Sequence, residues 1–536
     1  MKKKWKLTAA LAVILLAGLY YYIALPVVNI HSTETWFMII LLLVILTVLY
    51  TLRRRIPRED LRGDKGLRVF IGVILVVGVV YLVGTLLSSP IINAKKYQQL
   101  MKVEEGNFTE DIEELSFDKI PLLDKDTAEL LGDRKMGSMV DMVSQFEADD
   151  IYSQINYQDN PVRVTPLKYA SLIKWLTNQS EGIPAYIRIN MATQSTELVT
   201  LEEGMKYTTS EHLNRNIYRH LRFAHPTYMY GELSFEIDEE GIPYWIAPVK
   251  KFNIGLFGGE TVGKVVICNA IDGSMKTYDI EDVPQWVDRA YSADLLVELF
   301  DYYGTLKHGF FNSILSQKDC LKTTEGYNYL AIDDDVWMYT GVTSVNGDQS
   351  NVGFVLANQR TMETRYYEVE GATETSAMSS AEGQVQNLKY KATFPLLLNI
   401  SGEPTYFIAL KDDAGLVKKY AMVNVQKYQI VAIGDSVSQC EENYLDLLAS
   451  NGIGKGEDSS EKDVLTITGR ITKIAQAVVE GNSHYYLMVE GSQEIFDVSV
   501  AEYLDIIRYE VGDEITMEYQ TGGKANVVLS LEGTGE

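Results

Sequence analysis

Cysteine is nearly missing: Cys268, Cys320 and Cys440 are the only thiols in a chain of 536 residues. Three widely spaced cysteines build neither a disulfide framework nor a metal-cysteine site. Histidine is scarce as well. Of six, His31, His308 and His484 stand isolated, so spacing assembles neither a zinc triad nor a Ser/His/Asp arrangement, and no H-E-x-x-H or nucleophile elbow supplies one. No metal and no cofactor is therefore expected. Positive charge is the third shortage, with 48 Lys and Arg against 73 Asp and Glu and a net charge of -25. The shortage is uneven. Residues 1–96 hold 13 basic and 4 acidic side chains, leaving 35 basic and 69 acidic in residues 97–536. A body this acidic repels phosphate backbones, which removes nucleic acid from the expected partners.

What the N-terminus does have is length in its apolar runs. Leu7 to Leu25, Trp36 to Leu52 and Val69 to Leu87 are each about as long as a bilayer-crossing helix, and three N-terminal transmembrane helices are expected within residues 1–92. The first run follows Lys2, Lys3, Lys4 and Lys6 as a signal peptide would. It continues apolar and aromatic to Leu25 without a small-x-small cleavage site, so a retained helix is the reading. Arg53, Arg54, Arg55, Arg58, Arg62, Lys65 and Arg68 crowd the loop between the second and third runs, whereas Pro26 to Thr35 carries no Lys or Arg. The positive-inside rule then puts the N-terminus and the Arg-rich loop in the cytoplasm, and everything after about Ser89 outside a multi-pass cell membrane. A bacterium with a single membrane is the expected setting.

The chain after the runs divides by pattern. Residues 93–160 read as a juxtamembrane helical segment, with Asp124 to Phe146 helical or irregular. From residue 161 to 450 aromatic and β-branched residues alternate and strands dominate. Gly182-Ile183-Pro184-Ala185-Tyr186-Ile187 recurs as Gly241-Ile242-Pro243-Tyr244-Trp245-Ile246 and as Gly402-Glu403-Pro404-Thr405-Tyr406-Phe407, with Gly326-Tyr327-Asn328-Tyr329-Leu330 a looser copy. Each is a turn opening an aromatic strand. Helical patterns follow at Trp286 to Tyr302, Ser376 to Gln384 and Ser436 to Leu448. The expectation is α+β: repeated antiparallel modules, each too small to bury a core alone, sharing cores with their neighbours. A polar linker at 451–463 leads to residues 464–536, where Val464 to Val479, His484 to Glu490, Ile495 to Val500, Glu514 to Tyr519 and Val527 to Leu531 read as five strands of a small β-barrel, with a helix at Ala501 to Tyr509.

Two resemblances follow from these segments. The stretch 241–278, with its G-x-P-x-W strand, Val265 to Ala270 and the turn Asp272-Gly273-Ser274, resembles a PepSY-type module, although Asn269 stands where that family usually has Asp. The resemblance implies an extracytoplasmic regulatory or inhibitory module that binds a peptidase or another envelope protein, and it brings no catalytic residue. The C-terminal segment looks like an OB-type barrel. Its acidic surface favours a protein or glycan contact, or an architectural role, over single-stranded nucleic acid.

Four local patterns suggest chemistry. Gly258 to Lys264 fits G-x-x-x-x-G-K but lacks the following hydroxyl and helix, and reads as a glycine-rich hairpin. Ser171-Leu172-Ile173-Lys174, within a helical pattern from Pro166 to Leu176, fits S-x-x-K without its partner motifs. Asp333 to Asp335 and Asn346 to Asp348 offer oxygen ligands but read as turns. Between Glu211 and His225 a helix would carry Leu213, Ile217 and Leu221 on one stripe and His212, Arg215, Arg219 and Arg222 on another. That basic face is the candidate binding site, for a carboxylate-rich partner, a wall-polymer phosphate or the lipid surface, and intramolecular pairing is its alternative. The chain is expected to be a non-catalytic, membrane-anchored envelope protein with an extracytoplasmic binding or regulatory scaffold whose partner is another envelope protein or a wall component. An enzyme or enzyme subunit acting on envelope polymers, and a membrane sensor or assembly factor, are the alternatives.

Overall fold

A computed structural model describes residues 15–54, 63–112, 114, 120–332, 334–344, 350–451, 453, 465–479, 482–500, 503–520 and 525–532. The fold is mixed α+β, and chain contacts separate two units, Met1–Gly454 and Lys455–Glu536.

The first unit opens with apolar helices: α1 (Leu15–Ala24), α2 (Thr33–Arg54), α3 (Lys65–Ser88) and α4 (Pro90–Gln98). Among the described residues only α2 and α3 are long and apolar enough to cross a membrane, and no more than 6% of either apolar stretch is buried, so they are not core helices of the body. The expected count of three spans is thus corrected to two among the described residues. Of the run Leu7 to Leu25 only α1 is described, about half of the roughly 20 residues a bilayer needs; Leu7 to Ile14 lie outside the described residues. The Asp64 carboxylate caps α3 by accepting from Leu67 N at 2.8 Å. Pro90 has no N–H to continue the helix and instead opens α4. Rings of α2 and α3 meet near both ends, Phe37 with Tyr81 and Tyr50 with Phe70, as an antiparallel pair requires.

The body consists of antiparallel sheets that share cores in series. The first sheet is built on Ser153–Tyr157, Asn160–Tyr169, Ile183–Asn190 and Thr196–Met205. The second is a meander of Ser234–Ile237, Pro243–Ile254, Gly258–Asn269 and Met275–Asp279. In the third, Asn328–Ile332, Asp335–Ser344, Gly353–Asn358 and Thr364–Tyr367 follow one another, and Val103–Gly106 joins parallel to the last. The fourth contains Leu396–Ile400, Glu403–Lys411, Val417–Asn424 and Val431–Gly434. Because side chains alternate across a strand, one strand feeds two cores. Trp245, Ala247, Val266 and Cys268 pack with the first sheet, whereas Ile246, Val265 and Ile267 pack against Met338, Val355 and Ala357 of the third. On the third sheet's other face Trp337, Tyr339, Phe354 and Leu356 join the fourth.

Gly182, Gly241, Gly326 and Gly402, the first residues of the four repeated segments, all have φ between +78° and +93°. That left-handed conformation is the reason for glycine there, and each glycine immediately or shortly precedes a strand. Helix boundaries depart from expectation. The alternation begun at Val162 runs through Pro166 to Tyr169 as strand, and the helix predicted from Pro166 starts only at Leu172. The helix expected from Trp286 runs instead from Ala293 to Thr305, capped by Ser292, whose hydroxyl accepts from Leu295 N. The segment before it is turn and bend instead: Val287 N donates to Pro284 O, and Ala290 N and Tyr291 N both donate to Gln359 O rather than to a helical carbonyl.

In the second unit, Leu465–Val479 pairs with Asn482–Val489 and with Glu514–Gln520, Asn482–Val489 with Phe496–Ser499, Phe496–Ser499 in parallel with Asn526–Glu532, and Asn526–Glu532 with Glu514–Gln520. Every strand has two neighbours, so the ring of pairings closes. Ile471, Leu487, Phe496, Val498, Ile515 and Met517 fill its core. The helix expected at Ala501 to Tyr509 is a 3-10 helix, Leu504–Arg508, and residues 501–502 lie outside the described residues.

Candidate functional site

Two parts of the body meet the ends of the apolar helices. One is the hairpin between Pro243–Ile254 and Gly258–Asn269, the segment that fits G-x-x-x-x-G-K. The Ser88 hydroxyl at the end of α3 accepts from Leu256 N at 2.8 Å and Phe257 N at 3.1 Å, and itself donates to Gly84 O. Phe257 meets the rings of Trp36 and Tyr81. His31, in the loop between α1 and α2, approaches Leu256 O at 2.7 Å and stacks on Phe252. The glycines serve this approach: a Cβ on Gly255 would strike the Ser88 side chain, and one on Gly258 would strike Tyr97 and Ser88 O. Tyr97 of α4 donates to Ser88 O at 2.6 Å. No phosphate cradle is needed to explain this sequence.

The other part is the candidate basic face. A single helix over Glu211 to His225 is corrected to a 3-10 turn, Leu213–Arg215, and a helix, Ile217–Ala224. Asn216 causes the break, its side-chain oxygen accepting from Arg219 N and so starting the helix there. Ile217 and Leu221 are buried as expected, but Leu213 is exposed. The four candidate residues do not form one open stripe. Arg219 donates from Nε to Tyr22 O at 3.1 Å and from Nη1 to Leu213 O, and lies over the Tyr22 ring. Arg222 donates from Nε to Leu25 O at 3.0 Å and from Nη1 to Tyr228 O at 2.6 Å. Arg215 donates to Gln179 O, and His212 sets its ring against Trp175. Two of the three guanidinium groups therefore hold carbonyls at the C-terminal end of α1, where the helix dipole concentrates negative potential. Phe223 adds ring contacts to Tyr21 and Tyr22. Val28 N donates to Pro226 O and Asn29 Nδ2 to Thr227 O, which ties the next loop to the same segment.

Away from the junction, the first three sheets enclose a pair of acids that the sequence did not mark. Glu236 accepts from Ser234 Oγ at 2.7 Å and from Asp288 N at 2.9 Å, and Asp288 Oδ2 accepts from Asn156 N at 2.7 Å. Asp288 Oδ1 has no donor among the described residues. Burial, reinforced for Asp288 by the neighbouring Glu236 carboxyl, pushes both groups above the usual carboxylate range. Charged residues normally read as surface, so only the alternation of Phe235 and Ile237 around Glu236 hinted at a strand buried on both faces.

The remaining motifs have structural explanations. Ser171 Oγ accepts from Lys174 N as the cap of Leu172–Asn178. Asp335 pairs with Arg360 and Asp334 accepts from Asn156 Nδ2; Asp333 and the Asn346 to Asp348 turn lie outside the described residues. No group of His, Cys, Asp and Glu able to hold a metal occurs among the described residues. All three cysteines are buried and free, and burial pushes the Cys268 and Cys440 thiols up to about 12. No protein-family model and no curated protein matches the chain.

Proposed function

We propose that the protein is a non-catalytic, membrane-anchored component of a cell envelope whose α+β body is an extracytoplasmic scaffold for another envelope protein or a wall component. The observation that carries the orientation is the junction. The body is bound to the loop before α2 and to the last turn of α3, whereas Arg53 and Arg54 close α2 and Lys65 and Arg68 open α3 at the opposite ends. If both helices cross, the body and the basic residues are on different sides of the bilayer, and the positive-inside rule assigns the basic side to the cytoplasm. The orientation follows from α2 and α3 alone.

The resemblance of 241–278 to PepSY-type modules supports a regulatory binding role, and Asn269 there accepts from Ile271 N and Asp272 N as an Asp could. The ring-closed C-terminal unit suits an OB-like module that contacts protein or glycan. Half-buried Arg215, Arg219 and Arg222, with exposed His212 beside them, keep the guanidinium charge of this segment near the end of α1, where an acidic partner or an anionic headgroup would be received. A reporter active only outside the cytoplasm, fused after Glu536, is expected to be active; a cytosolic signal would end the reading. Cross-linking in intact cells followed by detergent purification is expected to recover one stoichiometric envelope partner, and a purified chain that cleaves wall polymer by itself would replace the scaffold with an enzyme.

A further inference from the structure

We propose that the body does not stand clear of the membrane but rests on its outer leaflet, with two short helices, Leu172–Asn178 and Phe310–Ile314, sunk by apolar stripes into the boundary between headgroups and acyl chains. The inference deepens the anchored reading above and rests on α2 and α3 being true spans. Leu172, Ile173 and Leu176 on the first helix, and Phe311, Ile314 and Leu315 on and just after the second, are 55–79% exposed. Their spacing of three to four residues makes each set one continuous stripe. Ordinary surface helices turn such a stripe inward. Here the inward side is already supplied by other residues: Trp175, whose indole donates to Glu211 Oε2 at 2.8 Å, and Phe310, which packs against the cluster of Tyr97, Ile254 and Leu306. The outward stripes are left without cover from any described part of the chain.

Their position identifies the occupant. The first helix is followed by Gln179, its C-cap, whose carbonyl is held by Arg215. The adjoining turn meets α1 through Asn214, which accepts from the Tyr22 hydroxyl, and through Arg219 on Tyr22 O. The second helix lies against α4, whose Tyr97 is bonded to the last residue of α3. Both stripes therefore hang on the outer ends of the apolar helices, and Leu256, bonded to His31 on one side and Ser88 on the other, keeps those ends together. Two stripes on unrelated elements have in common only their nearness to the surface that the spans cross. Exposed Lys95 and Lys96 are on α4, which packs against the second helix, and exposed Lys307 precedes that helix by three residues, as suits contact with lipid phosphates.

The test uses the full chain in phospholipid vesicles, with an environment-sensitive fluorophore on one new cysteine at a time; the native thiols are buried and do not compete. The positions are Ile173→Cys, Ile314→Cys, Val76→Cys within α3, and Leu388→Cys on the fourth-sheet side of the body. Blue-shifted emission at 173 and 314, lost to quenchers attached near the lipid headgroup more than to quenchers deep in the acyl chain, is the expected result, with water-like emission at 388 and deep quenching at 76. Water-like emission at 173 and 314 with quenching retained at 76 overturns the seating and leaves the spans standing. Absence of quenching at 76 removes the spans and the seating together. A blue shift at 173 and 314 that no lipid-borne quencher touches assigns the stripes to a protein contact and equally overturns the proposal.

Discussion

The body and the C-terminal unit solve the same problem in opposite ways. Each body sheet is too thin to form a core alone, so the second and third sheets divide their alternating side chains between two neighbours. The C-terminal strands close on themselves and fill one small core from within. Sharing makes the body depend on contacts far apart in sequence, whereas closure makes the small unit's core independent of the rest. The largest test of this contrast is a pair of core truncations. Trp245→Ala and Phe496→Ala should each cost about 3–5 kcal/mol in their own unit. Amide hydrogen exchange should show the Trp245 variant losing protection across both the first and second sheets, with strands Leu465–Val479 and Glu514–Gln520 unchanged. The Phe496 variant should do the reverse. Loss of protection across both units from either substitution would end the distinction.

A second test uses the acids buried in the seam among the first three sheets. Glu236 and Asp288 are raised by burial above the 4.5 and 3.8 of free side chains. Both bind protons more tightly folded than unfolded, so their favourable contribution is complete below those values and is lost as pH rises through the raised folded pKa values. Asp288→Asn keeps an oxygen to accept from Asn156 N and cannot ionise. At pH 8 it should stabilise the body by about 1–3 kcal/mol, the scale of an unsatisfied buried polar group, and the gain should shrink towards pH 4. Thermal unfolding at the two pH values measures it. A gain of equal size at both would remove ionisation as the cause, and the C-terminal unit's transition should not move at either.

What could be read from the sequence follows the range of the forces involved. Gly182, Gly241, Gly326 and Gly402 were legible because a left-handed turn is a local demand that few residues meet. The five C-terminal strands were legible because runs of β-branched and aromatic residues bounded by turn residues mark each strand locally. The helix expected from Trp286 was misjudged because Gln359, 69 and 68 residues ahead of them, takes the amides of Ala290 and Tyr291. The Arg stripe was legible as positive charge seeking negative charge. Its attachment to backbone carbonyls of α1 was not, since a carbonyl at a helix end leaves no mark in composition. Glu236 and Asp288 were invisible for a related reason: their environment is made by three sheets, none of which knows of the others locally.

The junction gives a third, smaller test. Ser88 accepts through its hydroxyl from two successive amides of the hairpin tip, Leu256 N and Phe257 N. Ser88→Ala should leave both unpaired and loosen the seat by about 1–2 kcal/mol. The signature is faster exchange at Leu256 and Phe257 with the shared cores still protected. Ser88→Thr, which retains the hydroxyl, should restore part of the protection. Protection unchanged in the alanine variant would mean that the rings of Trp36, Tyr81 and Phe257 hold the tip without the hydrogen bonds.

The smallest expected effect is at Ser171, where the structure offers a cap in place of a nucleophile. Its hydroxyl accepts from Lys174 N at 3.4 Å, a long bond, so the alanine variant should cost about 0.5–1 kcal/mol. The loss should be confined to Leu172–Asn178, because that helix contributes only Trp175 to the buried side and Trp175 is anchored separately by Glu211. Ser171→Asp should recover the stability, since a carboxylate caps at least as well as a hydroxyl, although it could not replace a serine nucleophile. Circular dichroism will not resolve one seven-residue helix, but exchange at Trp175 and Leu176 will. If the Asp variant frays as the Ala variant does, capping is not what Ser171 does. If both leave the helix intact, insertion of the stripe into lipid, rather than the cap, is what stabilises it.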